Sequence, residues 1–472
     1  MDAANIFAKN TADLKYDDLP REVVEITKLS ILDCLGVMVA ASTLSPETKV
    51  IADLIKEGGG TKESSIIAFG GKTVTYMAAF ANGAMCHPLD YDDTDDAAIV
   101  HPTGQTLPAV LAVAEKEGTR GKDFITAVAI GIDLASRLGR ALEKGLMGYG
   151  WLRPAIVGYF SSAAGVSKLL RLNAEKTANA FGLALNQAAG SLSSVGIAGS
   201  DFRAIRDGFS AKGGVLSALL SERGIKGDKN SIEGKYGLYN LYFQGLYDPA
   251  KLTANLGEKF AGVDVSFKPW PSCRNTHPFI TATLDIIKEH NVTHEDVEWI
   301  RLSGGEFAQT LCEPLEVKRK PVSSIDAKVS LPFIIAVLLS RGNVKLADFT
   351  PSGLNDSLTL KVAEKVIWKS KKALSTDGIE PALVEIKMKD GKHYSKQINF
   401  AYGHPQNPMS ENDIIAKFRD CVTYSAHPLP ETTVNKVIQM VGELERIRDV
   451  SSIVQLLSPL QANDIVSGCQ LS

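Results

Sequence analysis

The chain has 472 residues, of which 44% are hydrophobic and 22% are charged, and its formal net charge at pH 7 is -3. This composition is typical of a globular protein that is long enough to form two domains. Because the chain has no basic excess, it offers no broad positive surface to nucleic acid or to an anionic membrane. We therefore expect neither of them as a partner.

The first residues, Met1 to Ala4, lack the basic and apolar regions of a secretory signal. The longest apolar run, residues 331–339, contains Pro332 and is too short to span a bilayer. The six cysteines lie far apart without a C-x-x-C pair, which argues against a zinc ribbon, a clustered iron–sulfur site and a disulfide scaffold. We expect a soluble, cytoplasmic protein.

Residues 20–225 show helical periodicity almost throughout. Pro20 stands at a helix start, Ser45 and Pro46 open the next helix, and the glycines at 58–60 end it. The pattern predicts further helices at residues 73–86, 104–117, 121–143, 155–171, 174–190 and 208–223.

The pattern changes at Pro269 and Pro271, because proline cannot lie in the interior of a helix. The residues that follow predict mixed structure, including a hairpin whose Asp390-Gly391 pair signals a type I′ turn. Helices return near the end of the chain, where Ser410 is a predicted helix cap. The predicted elements are a strand at residues 298–302, a helix at 325–340, a hairpin at 383–400, a helix at 411–424 and a last helix that opens at Pro430.

These elements predict a mostly α fold with two domains. Residues 1–262 and 403–472 would form a large all-helical domain from both ends of the chain. Residues 263–402 would form a smaller, inserted α+β lid domain. Since ligands commonly bind where domains meet, we expect the ligand in a cleft between the two.

The most unusual segment is residues 87–105, which has five aspartates at positions 90–96 and is flanked by His87 and His101. It interrupts a helical pattern that looks buried, so its carboxylates would lie close to a core, where burial tunes their pKa values. The ordinary alternative is a solvated acidic loop between two helices. We favour a functional site.

Two kinds of metal site can be tested on this segment. A calcium EF-hand loop that starts at Asp90 needs Gly and Glu at its sixth and twelfth positions, where Asp95 and His101 stand. The run Asp92 to Asp96 matches D-D-x-x-D, the magnesium–diphosphate motif of isoprenoid synthases, but Ala363 stands where the second metal motif of that class needs Glu. Calcium is thus excluded, and a magnesium-dependent isoprenoid synthase stays open as an alternative of another class.

A second segment, residues 268–278, reads K-P-W-P-S-C-R-N-T-H-P. It places Lys268, Arg274, a thiol and His277 on one proline-stiffened stretch, and Lys and Arg can each hold a carboxylate. The ordinary alternative is a rigid interdomain linker. We predict an anion-binding segment.

A third segment, residues 203–214, combines several charges with a predicted helix start. The helix N-terminus and Lys212 could together receive a carboxylate, although a capped helix with surface charges is the ordinary alternative. No phosphate-binding loop, Rossmann G-x-G-x-x-G or G-x-S-x-G serine motif is complete. Nucleotide and serine-hydrolase chemistry are therefore disfavoured.

In this order and at these separations, the three segments resemble the MmgE/PrpD family, from the first helix to about residue 425. The most specific marks are H-x-L-D-Y-D-D-T from His87, the A-K-G triplet at 211–213, and K-P-W-P-S-C followed by His277. The family includes 2-methylcitrate dehydratase, cis-aconitate decarboxylase and iminodisuccinate epimerase, and it is regarded as metal-independent. The resemblance implies a homodimeric lyase without a cofactor, acting next to a carboxylate of a small di- or tricarboxylate.

The resemblance also implies roles for residues at matching positions. The implied catalytic residues are Asp90, His101, Lys268 and His277, and the implied substrate-binding residues are Thr94, Lys212 and Cys273. Because of its charge, we add Arg274 to the predicted substrate-binding residues. Removing a proton next to a carboxylate builds a second negative charge, so the site needs a base together with cations aimed at that charge. We hypothesise that Asp90 and His101 form the acid/base pair, while the cations hold substrate carboxylates and Thr94 orients one of them.

The resemblance leaves the reaction open. A 2-methylcitrate dehydratase-type hydro-lyase is our first prediction, with cis-aconitate decarboxylase and an iminodisuccinate-type epimerase as alternatives on the same scaffold. Leu152 stands where many members have a proton-transferring His, and Cys273 stands where decarboxylase-like members have His, whereas Lys212 is decarboxylase-like. A non-catalytic carboxylate-binding protein is the remaining alternative.

Overall fold

The computed structural model describes residues 1–145, 148–196, 200–376 and 378–459. The chain folds into two compact units. The first unit contains Met1–Pro88, Asp92–Val265 and the chain from Ser410 on, and the second contains Leu89–Tyr91 and Ser266–Met409. Among the described residues, no helix has both the length and the apolar character that crossing a membrane requires.

The helices and strands confirm a mostly α fold with a small α+β part. The helices of the first half are α1 Ala3–Asp13, α2 Arg21–Leu44, α3 Pro46–Gly58, α4 Thr75–Ala84, α5 Pro102–Glu117, α6 Gly121–Arg140, α7 Arg153–Leu169, α8 Ala174–Leu185, α9 Ser193–Gly196, α10 Phe202–Glu222, α11 Leu238–Tyr242 and α12 Pro249–Thr253. The later helices are α13 His277–His290, α14 Glu306–Cys312, α15 Leu315–Arg319, α16 Ser324–Lys328, α17 Leu331–Arg341, α18 Pro351–Leu354, α19 Ser357–Ala363, α20 Glu411–Val422, α21 Glu431–Gly442 and α22 Ser451–Leu457. The strands are β1 Ser64–Ser65, β2 Lys72–Thr73, β3 Val297–Gly304, β4 Val366–Ser370, β5 Ala382–Met388 and β6 His393–Ile398.

In the first unit, small residues let the central helices α4, α5, α7 and α10 pack closely. A Cβ at Gly83 of α4 would lie 2.8 Å from the Cα of Gly208 in α10, and a Cβ at Gly214 would lie 2.2 Å from Cβ of Ser162 in α7. Alanine and glycine are therefore needed where these helices meet. This packing sets α10 directly against α4, whose end leads into the acidic segment.

The second unit is built around a four-stranded sheet in the order β4-β3-β5-β6. Strand β3 pairs in parallel with β4 and antiparallel with β5, and β5 pairs antiparallel with β6. The alternation along β5 buries Val384 and Ile386 in a core shared with α13 and α17. One face of the sheet is thus covered by helices, as the period-2 pattern requires.

Several predicted helix ends are confirmed. Helix α2 follows Pro20, and α3 begins at Pro46 and ends before Gly59, whose φ of 64° suits glycine. Ser410 caps α20 by accepting a hydrogen bond from the backbone N–H of Asp413, and Pro430 precedes α21. These helices therefore begin and end at residues with a strong local preference for helix ends.

Two local predictions are wrong. The predicted helix at 325–340 is two helices, because Ser330 caps α17 by accepting from Phe333 N–H, and Pro332 lies in the first turn of that helix. The hairpin at 383–400 is confirmed, but its turn is not type I′. Only Gly391 has positive φ in this turn, and the N–H of Met388 donates to the carbonyl of Lys392, which makes a three-residue loop.

Candidate functional site

The acidic segment forms turns between α4 and α5 and is buried. His87 is 3% exposed, Asp92 is 0% exposed and Asp93 is 2% exposed. The alternative of a solvated loop is therefore wrong for these residues. Buried carboxylates need specific partners, so each aspartate here has to be accounted for.

Asp95 has a structural role within this segment. Its carboxylate accepts from the N–H groups of Ala97 and Ala98 at 3.1 and 3.0 Å, and it forms an ion pair with Arg140 of α6 at 2.8 Å. Thr94, a predicted substrate-binding residue, donates its hydroxyl to Asp96 at 2.6 Å. These contacts hold the turn of residues 94–98.

His87, Asp92 and His101 form what we call the histidine cluster. Nδ1 of His87 lies 3.0 Å from both carboxylate oxygens of Asp92, and Nδ1 of His101 lies 3.0 Å from Asp92 Oδ2. Nδ1 of His101 also lies 3.0 Å from the backbone carbonyl of Asp93. A carbonyl only accepts, so Nδ1 of His101 carries the proton and Nε2 of the neutral ring has the lone pair of a base.

Burial dominates the proton affinities around this cluster. It holds the pKa of His87 well below its usual value, and the guanidinium of Arg206 adds to this effect. It raises the pKa of Asp93 to about 8, although hydrogen bonds from Thr103 act in the opposite direction. It also raises the pKa of Asp207 in α10 to about 6. His87 is therefore a neutral ring at pH 7.

The ligand atoms of the histidine cluster lie within 4.8 Å of one another, which is close enough to hold a metal ion. The donor chemistry does not favour a preformed metal site, however. A ligating nitrogen must be deprotonated, whereas Nδ1 of His101 donates to the carbonyl of Asp93. The charge of Arg206 also acts on His87 and would repel a cation.

The D-D-x-x-D run does not present one carboxylate face. Asp92 is bound by two histidines, Asp93 accepts hydrogen bonds from Thr103, and Asp96 accepts from Thr94. A magnesium–diphosphate site needs such carboxylates directed at a common ion. The structure thus argues against the isoprenoid synthase alternative.

In the second unit, Asp90, Lys268, Arg274 and His277 form what we call the lysine cluster. Nζ of Lys268 donates to Oδ1 of Asp90 at 2.5 Å and to the backbone carbonyl of Asp90 at 3.1 Å. Lys268 is 0% exposed, and Asp90 has a φ of 50°, which is uncommon for a residue other than glycine. The ammonium thus holds Asp90 in this conformation.

His277 uses both of its ring nitrogens inside the second unit. Nε2 lies 3.3 Å from the carbonyl of Ser272, so Nε2 donates and Nδ1 has the lone pair. Nδ1 lies 3.4 Å from a guanidinium nitrogen of Arg274, which also donates to the carbonyl of Tyr402. Burial, Arg274 and Lys268 hold the pKa of His277 well below its usual value. A buried, neutral ring in these contacts is suited to orient Arg274.

The remaining predicted residues lie outside both clusters. Cys273 is mostly buried next to Arg274, and its backbone N–H donates to the carbonyl of Lys328. Lys212 lies well inside α10, because this helix begins at Phe202 and not near residue 208. The predicted carboxylate site at a helix N-terminus is therefore wrong, and the ammonium of Lys212 lies 5.2 Å from the ring centre of Phe80. Its role in substrate binding stays a prediction.

Sequence reasoning gave no role to Asp207, and it gave Asp92 a role only in the magnesium alternative. Asp207 is 0% exposed, and among the described residues neither of its carboxylate oxygens has a hydrogen-bond partner, although Nε of Arg206 lies 3.4 Å away. Asp92 could have been found from its position between two histidines. The burial of Asp207 could not, since it follows from the packing of α10 against α4.

Comparison with known proteins gives consistent matches over almost the whole chain. Residues 5–249 match the MmgE/PrpD N-terminal domain, and residues 270–443 match the MmgE/PrpD C-terminal domain. The chain is 27% identical to a cis-aconitate decarboxylase of Aspergillus terreus over 473 residues, which cover 95% of this chain and 94% of the relative. It is also 27% identical to cis-aconitate decarboxylase of Homo sapiens over 479 residues, covering 98% and 95%. The corresponding protein of Mus musculus is 26% identical over 478 residues, covering 98% and 94%.

Proposed function

The chain belongs to the MmgE/PrpD family, and on that premise we propose that it is a lyase that releases CO₂ from cis-aconitate or a closely related tricarboxylate. The relatives named above are decarboxylases, which supports this reaction ahead of the 2-methylcitrate dehydration expected from the sequence. The observation that carries the proposal is the fixed tautomer of His101, whose Nε2 has the lone pair needed for proton transfer.

The reaction breaks a carbon–carbon bond and leaves an electron pair on the substrate. That pair forms a new double bond while a proton adds to the alkene carbon, so the tricarboxylate takes up one proton for each CO₂ released. A histidine whose Nε2 first gains a proton and then delivers it can perform this step. We assign this role to His101.

The lysine cluster supplies the positive charge that a tricarboxylate needs. Lys268 is buried and already binds a carboxylate, that of Asp90, so its charge and geometry suit a substrate carboxylate. Arg274 is the second cation of this cluster and offers a planar group that can bind a carboxylate with two hydrogen bonds. We propose that Lys268 and Arg274 hold carboxylates of the substrate.

Dehydration is the second candidate reaction. One position favours it, because Cys273 stands where decarboxylase-like members of the family have a histidine. A hydro-lyase would use His101 to remove a proton next to a carboxylate, and it would need an acid to protonate the departing hydroxyl. His101 is suited to the proton transfer of either reaction.

Incubation with cis-aconitate, citrate, 2-methylcitrate and iminodisuccinate, followed by proton NMR, tests the proposal. We expect cis-aconitate to lose the signal of its vinyl proton and to give new methylene signals together with CO₂. His101→Ala and Lys268→Ala should each lower turnover by about a hundredfold or more. The matched controls are His427→Ala and Lys392→Ala, which replace exposed residues and should leave turnover unchanged.

Several results would contradict the proposal. Water loss or gain without CO₂ would replace decarboxylation by the hydro-lyase reaction. Saturable binding of a tricarboxylate without any change in its NMR spectrum would indicate a non-catalytic binding protein. Near-normal turnover in both alanine variants would remove His101 and Lys268 from the reaction.

The assembly state belongs to the same proposal. The family resemblance implies a homodimer, and the sequence leads us to expect it in the cytoplasm. Size-exclusion chromatography with light scattering should give about twice the mass of one chain. A single-chain mass at micromolar concentration would contradict the dimer.

A further inference from the structure

Asp92 lies between two imidazoles in the first unit. Its side chain is fully buried, and it contacts Nδ1 of His87 at 3.0 Å and Nδ1 of His101 at 3.0 Å. The two rings are edge to face, with their centres 4.5 Å apart. One buried carboxylate therefore contacts both histidines.

The two histidines differ in exposure and in how they interact with the charge of Asp92. His87 is 3% exposed and neutral, so it donates one N–H without cancelling the charge of the carboxylate. The side chain of His101 is 16% exposed, and its Nε2 has the lone pair. The negative charge of Asp92 is thus available to His101 when that ring gains a proton.

We propose that Asp92 is a positioning residue for His101, which it holds with Nε2 as the proton-accepting atom and whose imidazolium it stabilises. The carbonyl of Asp93 fixes the neutral tautomer by accepting from the same Nδ1–H. Asp92 adds the charge that a carbonyl lacks, as the buried carboxylate of a Ser-His-Asp triad does for its histidine. His87 keeps the carboxylate in place.

Other charged groups act on the same ring. From α10, Asp207 favours a positive charge on His101, and Arg206, which acts on His87 and Asp207, adds positive charge nearby. From the acidic segment itself, Asp93 has a raised pKa and is largely protonated at neutral pH, so it adds little charge. Asp92 is the carboxylate in direct contact with Nδ1, and its removal should therefore have the largest effect.

The test compares Asp92→Asn with Asp95→Asn in the full-length protein. Both aspartates are fully buried in the same segment, but Asp95 contacts Arg140 and two backbone N–H groups rather than a histidine. Ring ¹⁵N and ¹³C NMR of labelled histidine reports the tautomer and the titration of His101 without substrate. The assignment comes from the spectrum of His101→Gln.

In the wild type we expect Nδ1–H and an unprotonated Nε2 on His101. Asp92→Asn should lower the pKa of this ring by about one unit or more, whereas Asp95→Asn should leave it unchanged. A wild-type ring with the proton on Nε2 would overturn the proposal, and this measurement needs no variant to fold. An unchanged titration in Asp92→Asn, or an equal shift in Asp95→Asn, would overturn it as well.

The catalytic consequence rests on the proposed function and is measured separately. With cis-aconitate as substrate, Asp92→Asn should lower kcat at least tenfold with little change in KM, and it should move the ionisation in the pH profile of kcat/KM to lower pH. If none of the tested acids reacts, the proposed function is contradicted, but the NMR measurement of the His101 tautomer still tests the role of Asp92. Normal kcat in a variant with a shifted His101 would overturn the role of Asp92 in the reaction.

Discussion

Lys268 and Asp90 form a buried ion pair in which Nζ contacts both the carboxylate and the backbone carbonyl of the same residue, at 2.5 and 3.1 Å. The two residues lie 178 positions apart in the sequence. The pair therefore joins the short segment Leu89–Tyr91 to the body of the second unit. This ion pair is expected to stabilise the fold, and it also places a positive charge in the lysine cluster.

We expect Lys268→Met to destabilise the protein by about 3 to 5 kcal/mol, because it leaves the carboxylate of Asp90 buried without its ammonium. Lys268→Met combined with Asp90→Asn should recover much of this loss, since no charge is then left unpaired. Urea unfolding followed by circular dichroism measures both values.

The matched control for this pair is Lys396→Met. Lys396 forms a surface ion pair with Glu289 at 2.6 Å, and exposed pairs contribute about 1 kcal/mol or less. If Lys268→Met lowers the free energy of unfolding no more than Lys396→Met does, the buried pair stabilises the protein no more than a surface pair. Additive losses in the double variant would show that the two residues are not coupled.

The raised pKa of Asp93 predicts a pH dependence of stability. Burial raises this pKa from 3.8 to about 8, so between these values the folded state keeps a proton that the unfolded state releases. This contribution is full below pH 3.8, and it is lost as the pH rises towards 8, at up to about 1.4 kcal/mol per pH unit. Asp93→Asn removes it, so the stability of this variant should fall less steeply over that range.

The comparison uses the difference between variant and wild type, since Asp207, whose pKa burial raises to about 6, titrates in the same range. Asp390→Asn is the control, because Asp390 is exposed and hydrogen bonds from Lys392 lower its pKa. Its contribution is already complete above pH 5, so this variant should keep the slope of the wild type there. Equal slopes for Asp93→Asn and the wild type between pH 5 and 8 would contradict the assignment.

Chelation should leave turnover of cis-aconitate unchanged. The histidine cluster is held by hydrogen bonds in which Nδ1 of His101 donates, and Arg206 adds positive charge nearby. We expect full activity after dialysis against EDTA, and no stimulation by Mg²⁺ or Zn²⁺. Metal analysis of the purified protein is the parallel measurement, and one bound divalent ion per chain whose removal abolishes activity would overturn this expectation.

The sequence predicted features that depend on local chemistry. Prolines, serines and glycines at helix ends located α2, α3, α20 and α21, and alternation located the β5–β6 hairpin. The break between α16 and α17 was missed, although Ser330 and Pro332 were a readable signal of a new helix.

The candidate site was predicted in part for the same reason. Asp90, His101 and Lys268 stand in segments whose composition is unusual, so they could be selected without a structure. Their partners could not, because contacts such as Asp95 with Arg140 join residues 45 positions apart. Whether a carboxylate is solvated or buried depends on such distant neighbours, which local patterns do not encode.

The last prediction concerns His277, for which the family resemblance implied a catalytic role. Both ring nitrogens are engaged within the second unit, and burial lowers the pKa of the ring, so we expect His277 to orient Arg274 rather than to transfer a proton. His277→Asn should raise KM for cis-aconitate about tenfold or more, because a displaced guanidinium binds a carboxylate poorly, while kcat falls much less.

The pH profile separates the two roles of His277. If the ring only orients Arg274, the profile of kcat in His277→Asn should keep the shape found in the wild type, whereas loss of a proton-transfer group removes one of its ionisations. Arg274→Lys should reproduce the effect on KM, since it keeps the charge but loses the planar group that binds two oxygens. A hundredfold loss of kcat in His277→Asn with an unchanged KM would restore His277 as a proton carrier.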